Sequence, residues 1–585
     1  MRSFLGIGAL LLLLSPPDTH AQATAAGLDI RLGLKVPLRD GVRLNATLYL
    51  PKDLGAAAPV ILAMTPYIAD RYHNFVTPLA KRGYVVAVVD VRGRGSSEGV
   101  FDPFAQEAKD GYDTVEWIAQ QPWSNGKVAM MGGSYGGFNQ WSIVKEFPPH
   151  LTTIAPTASA HLGIDFPNDG GIGSRYQMAW ISFTTGKTGN GNLFGDGAYW
   201  AAKYREMYRK HLPYAVLDSV VGNPSASFKK WLGHRGYDAY WAAMAPSPEQ
   251  LAKIAVPIFT RTGIYDGDQI GAMEHYRNHM THGNAEAKAK HYLMIGPWDH
   301  AGTRVPQKTF GGLSFGDASM VDMGELEASW YDWTMRGGPQ PPLLKKRVAY
   351  YLTGAETWKY ADDLDEIGRN PSRYFLTSAG RGATDVYNSG LLTDRPPAAS
   401  AADEWSYDPL DTKPGENEPD DPPDYADPRY ALNLDGRGVV YHTAPFGRDV
   451  EISGFPKLTL WLTMDVPDTD LFAGLYEITT EGKSILVDDV QLRTRYRNGR
   501  DREEMITPGR PTKIELTGWR FMSRLVKKGS RLRLLIQSPN TIHLEKNYNS
   551  GGAVAWETAK DARTAHIKLH HEAERWSVLE LPVRP

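Results

Sequence analysis

The feature that most constrains this chain is the run Gly132-Gly133-Ser134-Tyr135-Gly136-Gly137. It stands between a short apolar stretch at 127–131 and a helix-patterned stretch reaching about residue 146. A buried strand that runs straight into a helix must turn within a few residues, and small residues around the central serine permit that turn. The serine hydroxyl is then presented at the C-terminal edge of a sheet. The backbone N–H of Tyr135 faces any negative charge that develops beside it. This is the G-x-S-x-G nucleophile elbow, and it commits the flanking chain to alternating strands and helices.

The flanking sequence alternates accordingly. Residues 29–50 read as a β-hairpin around Arg39-Asp40-Gly41. The continuous apolar runs 59–64 and 84–89 suit strands buried on both faces of a parallel sheet. Residues 110–120 have helical spacing, with Tyr112, Val115, Trp117 and Ile118 apolar. Strands are expected again at 154–155, 256–260 and 292–295, and a closing helix at 325–335. Together these predict a doubly wound α/β sheet. Between about 160 and 250 the pattern becomes aromatic and helix-like (176–183, 199–211, 227–231), which predicts a helical insertion capping the sheet edge. From about 345 onward short strand-like runs dominate, as in an all-β sandwich or jelly roll.

A serine nucleophile needs a base, and the base an orienting carboxylate, in the chain order Ser, Asp or Glu, His for this kind of elbow. Asp266, in Thr262-Gly263-Ile264-Tyr265-Asp266-Gly267, follows the strand at 256–260. His300, in Gly296-Pro297-Trp298-Asp299-His300, follows the strand at 292–295. Asp268 is a rival for the carboxylate role; Asp299 is too near His300 in sequence to be its partner from another loop.

These residues resemble a known family: the serine hydrolases that include cocaine esterase, glutaryl-7-aminocephalosporanic acid acylase and α-amino acid ester hydrolase (the CocE/NonD type), with X-prolyl dipeptidyl peptidases as distant relatives. The resemblance spans nearly the whole mature chain. It rests on Thr65-Pro66-Tyr67, the stretch from Asp90-Val91-Arg92-Gly93-Arg94 to Gly99, the elbow, Tyr265-Asp266-Gly267 and Gly296 to His300. It implies an α/β-hydrolase domain (22–160 and 251–340), a helical cap (161–250) and a C-terminal β jelly roll (345–585). It also implies that Tyr67 donates its hydroxyl to the oxyanion beside the Tyr135 N–H. α-Amino acid ester hydrolases hold a substrate ammonium with carboxylates past the catalytic Asp and from the cap. Here Asp268 matches, Gln269 does not, and Asp165 and Asp169 are the cap candidates. Trp298 is expected beside His300. Arg92 and Arg94 would either bind a substrate carboxylate or hold a loop by pairing with Asp90 or Glu98.

Composition narrows the rest. The absence of cysteine excludes disulfides, thiolate metal sites and Cys nucleophiles. With 64 basic against 67 acidic residues, nothing suggests a nucleic-acid or anionic-membrane surface. Arg2, the apolar run 4–14 and Ser15-Pro16-Pro17 read as a secretory signal over 1–21, cleaved near Ala21 or Ala23, so the mature protein is expected to be exported. The acidic, Pro-rich stretch 408–424 reads as a solvated loop, with calcium binding as the alternative, and His566, His570 and His571 as an exposed strand face rather than a metal site. No metal or cofactor is expected. The expected partner is a small acyl ester, amide or peptide, and a homo-oligomer is compatible with the sequence. The leading expectation is a serine esterase or amidase. The alternatives are a peptidase releasing N-terminal dipeptides and a non-catalytic binding protein that uses the jelly roll.

Overall fold

A computed structural model describes residues 26–584 apart from 380, 417, 421–423, 434 and 435. The expected signal segment 1–21 lies outside the described residues.

The N-terminal part is built on a ten-strand sheet. From one edge its order is Leu28–Pro37, Arg43–Pro51, Val85–Asp90, Ala58–Thr65, Ser124–Gly133, Leu151–Thr157, Ile258–Tyr265, His291–Asp299, Val348–Leu352 and Thr357–Ala361. The first two strands form the hairpin expected around Asp40-Gly41, where Asp40 Oδ1 accepts the Val42 N–H at 3.1 Å. The central strands run parallel. Their apolar runs are explained by burial on both faces. Val60, Leu62 and Met64 pack with the helices Glu107–Ala119 and Tyr135–Val144, while Ile61 and Ala63 pack with His73–Lys81 and Met323–Arg336.

Between the strands Leu151–Thr157 and Ile258–Tyr265 the chain makes an excursion of short helices. The longest are Tyr176–Thr184 and Gly197–Arg209. Their aromatic residues, Trp180, Phe183, Trp200 and Trp231 among them, share one core with Phe104 and Phe138 beside the elbow.

The C-terminal part is rich in strands. Eleven form one large sheet and three a smaller one. The first strands after 345 add to the first sheet rather than to the large C-terminal one. Val348–Leu352 pairs in parallel with His291–Asp299, and Thr357–Ala361 closes the edge. Sheet membership is a long-range pairing that a short strand does not carry in its own residues. Within the stretch expected as a solvated loop, 408–424, two described acids are engaged. Glu418 is buried and accepts the Ile542 N–H and the Thr541 hydroxyl, both at 2.8 Å, and Asp420 pairs with Arg205 of the helical excursion. Among the described residues no helix is long and apolar enough to cross a membrane.

Candidate active site

Four of the five neighbouring strands Ala58–Thr65, Ser124–Gly133, Leu151–Thr157, Ile258–Tyr265 and His291–Asp299 carry a site residue at the same edge of the sheet. Tyr67, Ser134, Asp266 and His300 each follow the C-terminal end of a parallel strand, where ligands bind in open α/β sheets. Ser134 has φ 60° and ψ −120°, a costly backbone for a residue with a Cβ. Its N–H is held by the carbonyls of Thr157 (3.0 Å) and Ala158 (3.1 Å). Glycine is required in the turn: a Cβ on Gly137 would lie 2.7 Å from the Thr157 carbonyl oxygen. Tyr135 opens the following helix, so its N–H has no acceptor within that helix. Its phenol is committed elsewhere, donating to Glu107 and accepting the Phe104 N–H at 3.0 Å. Burial raises Glu107 to about 7.

His300 Nδ1 lies 2.8 Å from Asp266 Oδ1 and 3.8 Å from Asp268 Oδ2, so Asp266 is the carboxylate that holds the imidazole. Asp266 also accepts the Thr262 hydroxyl (2.9 Å) and the Asp268 N–H (3.0 Å). Burial pushes the Asp266 carboxyl up, but the charge and hydrogen bond of His300 outweigh it and hold the group below the usual carboxylate range. Burial opposes the charging of His300, and Asp268 and Asp266 override it, so His300 stands above its ordinary value. Asp299 is occupied at the Gly302 N–H (2.7 Å).

The Tyr67 hydroxyl accepts the Trp180 Nε1–H at 3.1 Å, and Tyr67 lines the same pocket as Ser134. Burial raises the phenol to about 12, so it keeps its proton for donation at neutral pH. The loop is tightly held. Ile68 has φ 76°, Ala69 N–H donates to Asp90 Oδ1 (2.8 Å), and Arg94 Nε donates to the Pro66 carbonyl (2.8 Å). Arg94 continues to the carbonyls of Gly186 and Thr188 in the helical excursion. Arg94 is therefore a loop holder, though through carbonyls rather than Asp90 or Glu98. Arg92 pairs instead with Asp110 (2.6 Å) and Asp40 (2.7 Å), and Glu98 with Arg43.

Tyr67, Ser134, Tyr135 and His300 line one pocket, whose apolar wall is Phe104, Phe166, Tyr176 and Trp180. Three carboxyl groups, Asp165, Asp169 and Asp268, line it too. Asp165 is placed by two backbone donors, His161 N–H (2.9 Å) and Gly271 N–H (2.8 Å). Only glycine fits at 271, because a Cβ there would lie 2.2 Å from Asp165 Oδ2. Asp169 Oδ2 is 3.4 Å from Gln491 Nε2 of the strand-rich region. Burial lifts all three acids, helped by Asp169 and Asp266 at Asp165, by Asp165 and Asp266 at Asp268, and by Asp489 at Asp169, where Arg520 and Arg500 oppose it. Asp165 and Asp268 stand well above the usual range and Asp169 at about 6.

Trp298 is the exception among the expected site residues. It is fully buried, donates Nε1–H to the Ser319 carbonyl (3.0 Å), and does not line the pocket. The strand register shifts between Gly296 and Asp299, and the indole folds back over Gly296, where a Cβ would lie 2.3 Å from the ring. The C-terminal histidines are separately engaged. His571 is buried against Asp403 (2.7 Å), His570 bonds Thr463 (2.7 Å) and exposed His566 pairs with Asp465 (2.8 Å). Among the described residues no group of three His, Cys, Asp or Glu could hold a metal ion. Sequence reasoning missed Trp180 and Tyr176. Their i, i+4 spacing on an aromatic helix was the available signal.

Residues 40–302 match the X-Pro dipeptidyl-peptidase (S15) family and residues 344–580 the X-Pro dipeptidyl-peptidase C-terminal non-catalytic domain. The cocaine esterase of Rhodococcus sp. (strain MB1 Bresler) is 26% identical over 603 residues, covering 95% of this chain and 98% of that protein. The chain belongs to the CocE/NonD-type serine hydrolases. Its fold extends through solved structures. An α-amino acid ester hydrolase superposes with a TM-score of 0.81 at 21% identity, covering 97% of this chain and 98% of the other. An aminopeptidase of a marine sediment Thaumarchaeota archaeon superposes at 0.79, with the same identity and coverage. This CocE/NonD-type hydrolase thus has an N-terminal catalytic domain followed by a strand-rich domain.

Proposed function

We propose that this hydrolase cleaves esters or amides of α-amino acids through an acyl-enzyme on Ser134. His300 Nε2 takes the Ser134 proton as Oγ attacks the substrate carbonyl carbon. The Tyr67 hydroxyl and the Tyr135 N–H donate to the resulting oxyanion. The intermediate collapses and the alcohol or amine leaves with the proton from His300. His300 then deprotonates a water that attacks the acyl-serine, and the acid departs as Ser134 recovers its proton. Asp266 keeps the imidazole oriented throughout.

The observation that carries the substrate class is the convergence of Asp165, Asp169 and Asp268 on the pocket that holds Ser134. Buried beside each other, Asp165 and Asp268 repel when ionised, and a substrate ammonium removes that cost. Gln269 leaves the local pair incomplete, but Asp169 supplies a further acid. The aromatic wall suits an apolar side chain on the same acyl group. In this reading the helical excursion serves as a cap, the strand-rich domain is a jelly roll, and residues 1–21 direct export.

The test compares two esters that differ only in the α-amino group. The aminoacyl ester should have the higher kcat/KM. The preference should grow as Asp169 ionises above about 6. It should fade as the substrate amine deprotonates near ~8, and Asp268→Asn should reduce it. Equal kcat/KM values for the two esters in the wild type would overturn the ammonium reading. A dipeptidyl amide turned over faster than both would favour the peptidase reading, which the match to the S15 family supports.

A further inference from the structure

Two side chains fasten the loop that carries Asp266 to the strand-rich domain: the Tyr425 hydroxyl donates to the Tyr265 carbonyl at 3.3 Å, and Gln269 makes the more extensive contact. Gln269 is the first residue of the helix Gln269–His282, three positions after Asp266, and is fully buried. Its carboxamide does not face the acyl pocket. Nε2 donates to the Gly263 carbonyl (2.9 Å), at the end of the strand that leads into Asp266, and to the Phe521 carbonyl (3.1 Å). Oε1 accepts the Phe521 N–H at 2.6 Å. Both backbone groups of one residue in the strand-rich domain are therefore matched by both ends of one amide. Phe521 is itself anchored through its neighbour. The Arg520 N–H donates to Asp488 Oδ2 (2.8 Å), and its guanidinium bonds Asp488 (3.1 Å) and Asp489 (2.8 Å). Asp266 and Gly267 of the loop line a cleft with Asp488, Asp489 and Arg520.

We propose that Gln269 is a positioning residue through which the strand-rich domain, by the backbone of Phe521, fixes the turn that presents Asp266 to His300. The inference rests on Asp266 being the orienting carboxylate. A single amide closes the strand end, the helix start and the domain contact together, so the Asp266–His300 distance depends on a domain described as non-catalytic. Losing the clamp frees the turn, and a displacement near 1 Å in a catalytic group costs on the order of 10²-fold in rate.

The experiment uses the full-length enzyme with Gln269→Met, which keeps length and removes both hydrogen-bonding ends, and Gln269→Glu, which when ionised keeps the acceptor for Phe521 N–H but cannot donate. Gln269→Met should lower kcat by about 10–10²-fold with KM nearly unchanged. The acid limb of its kcat/KM profile should move to lower pH, because His300 loses part of the Asp266 charge that raises it. Gln269→Glu should fall between Gln269→Met and wild type. A lower melting temperature with wild-type kcat and pH profile in either folded variant would overturn the proposal and leave Gln269 a purely structural tie. Asp266→Asn, run in parallel, separates the two readings: if it retains full activity, the assignment of Asp266 has failed, not the clamp.

Discussion

Replacing Tyr67 with phenylalanine removes one oxygen and separates chemistry from packing. The ring contacts survive the change: it stacks on Phe183 with centroids 5.4 Å apart and meets Tyr135 edge-on at 6.4 Å. Two things are lost. One is a donor to the oxyanion, which on comparison with other such donors should lower kcat by about 10²–10³, or roughly 3–4 kcal/mol, with a smaller effect on KM. The other is the acceptor for Trp180 Nε1, in an indole 4% exposed. A buried donor without a partner costs about 1–3 kcal/mol of stability. The double variant Tyr67→Phe/Trp180→Phe removes that orphan as well. It should recover part of the stability and none of the kcat. Steady-state kinetics on an acyl ester, normalised by active-site titration, and urea unfolding of all three variants decide the matter. If kcat stays within about 3-fold of wild type in Tyr67→Phe, or returns in the double variant, the phenol is a packing group.

Two further outcomes follow from the same geometry. Asp266→Asn should cut kcat by about 10⁴-fold, as loss of the orienting carboxylate does elsewhere. Asp268→Asn, a full 1 Å farther from His300 (3.8 against 2.8 Å), should leave plain-ester hydrolysis largely intact, and the reverse pattern would exchange their roles. In the core, His279 and His291 share an Nδ1–Nδ1 hydrogen bond of 2.9 Å, which needs one ring to act as acceptor, and burial lowers His279 to about 4. A histidine depressed in the folded state contributes stability that is full above its unfolded pKa of ~6.5 and is lost as pH falls toward its folded value, at about 1.4 kcal/mol per pH unit. The difference in unfolding free energy between wild type and His279→Gln should therefore shrink from pH 6.5 to 4.5; parallel pH curves would contradict this.

What the sequence made legible follows the reach of its signals. The elbow, Asp266 and His300 could be read because each sits directly after a strand whose apolar run is local, and chain order did the rest. Tyr67 was visible only through family resemblance; nothing around it reveals that Trp180, 113 residues on, meets its hydroxyl. Trp298 misled because nearness to His300 in sequence says nothing about facing once a register shift intervenes. Gln269 looked like a missing carboxylate, whereas its partner is a backbone 252 residues away. Val348–Leu352 reads as a strand, but which sheet it joins is decided by its pairing with His291–Asp299. Asp169 was one of two acids in a short segment, and only the tertiary fold brings both to the pocket.

The most direct test of the catalytic assignment is covalent labelling. The intact enzyme, treated with a fluorophosphonate and digested, should carry a single adduct on the peptide that contains Ser134. Ser134→Ala should fold, fail to label and lose about 10⁶-fold in kcat. An adduct on another serine, with turnover persisting in Ser134→Ala, would contradict the account at its centre.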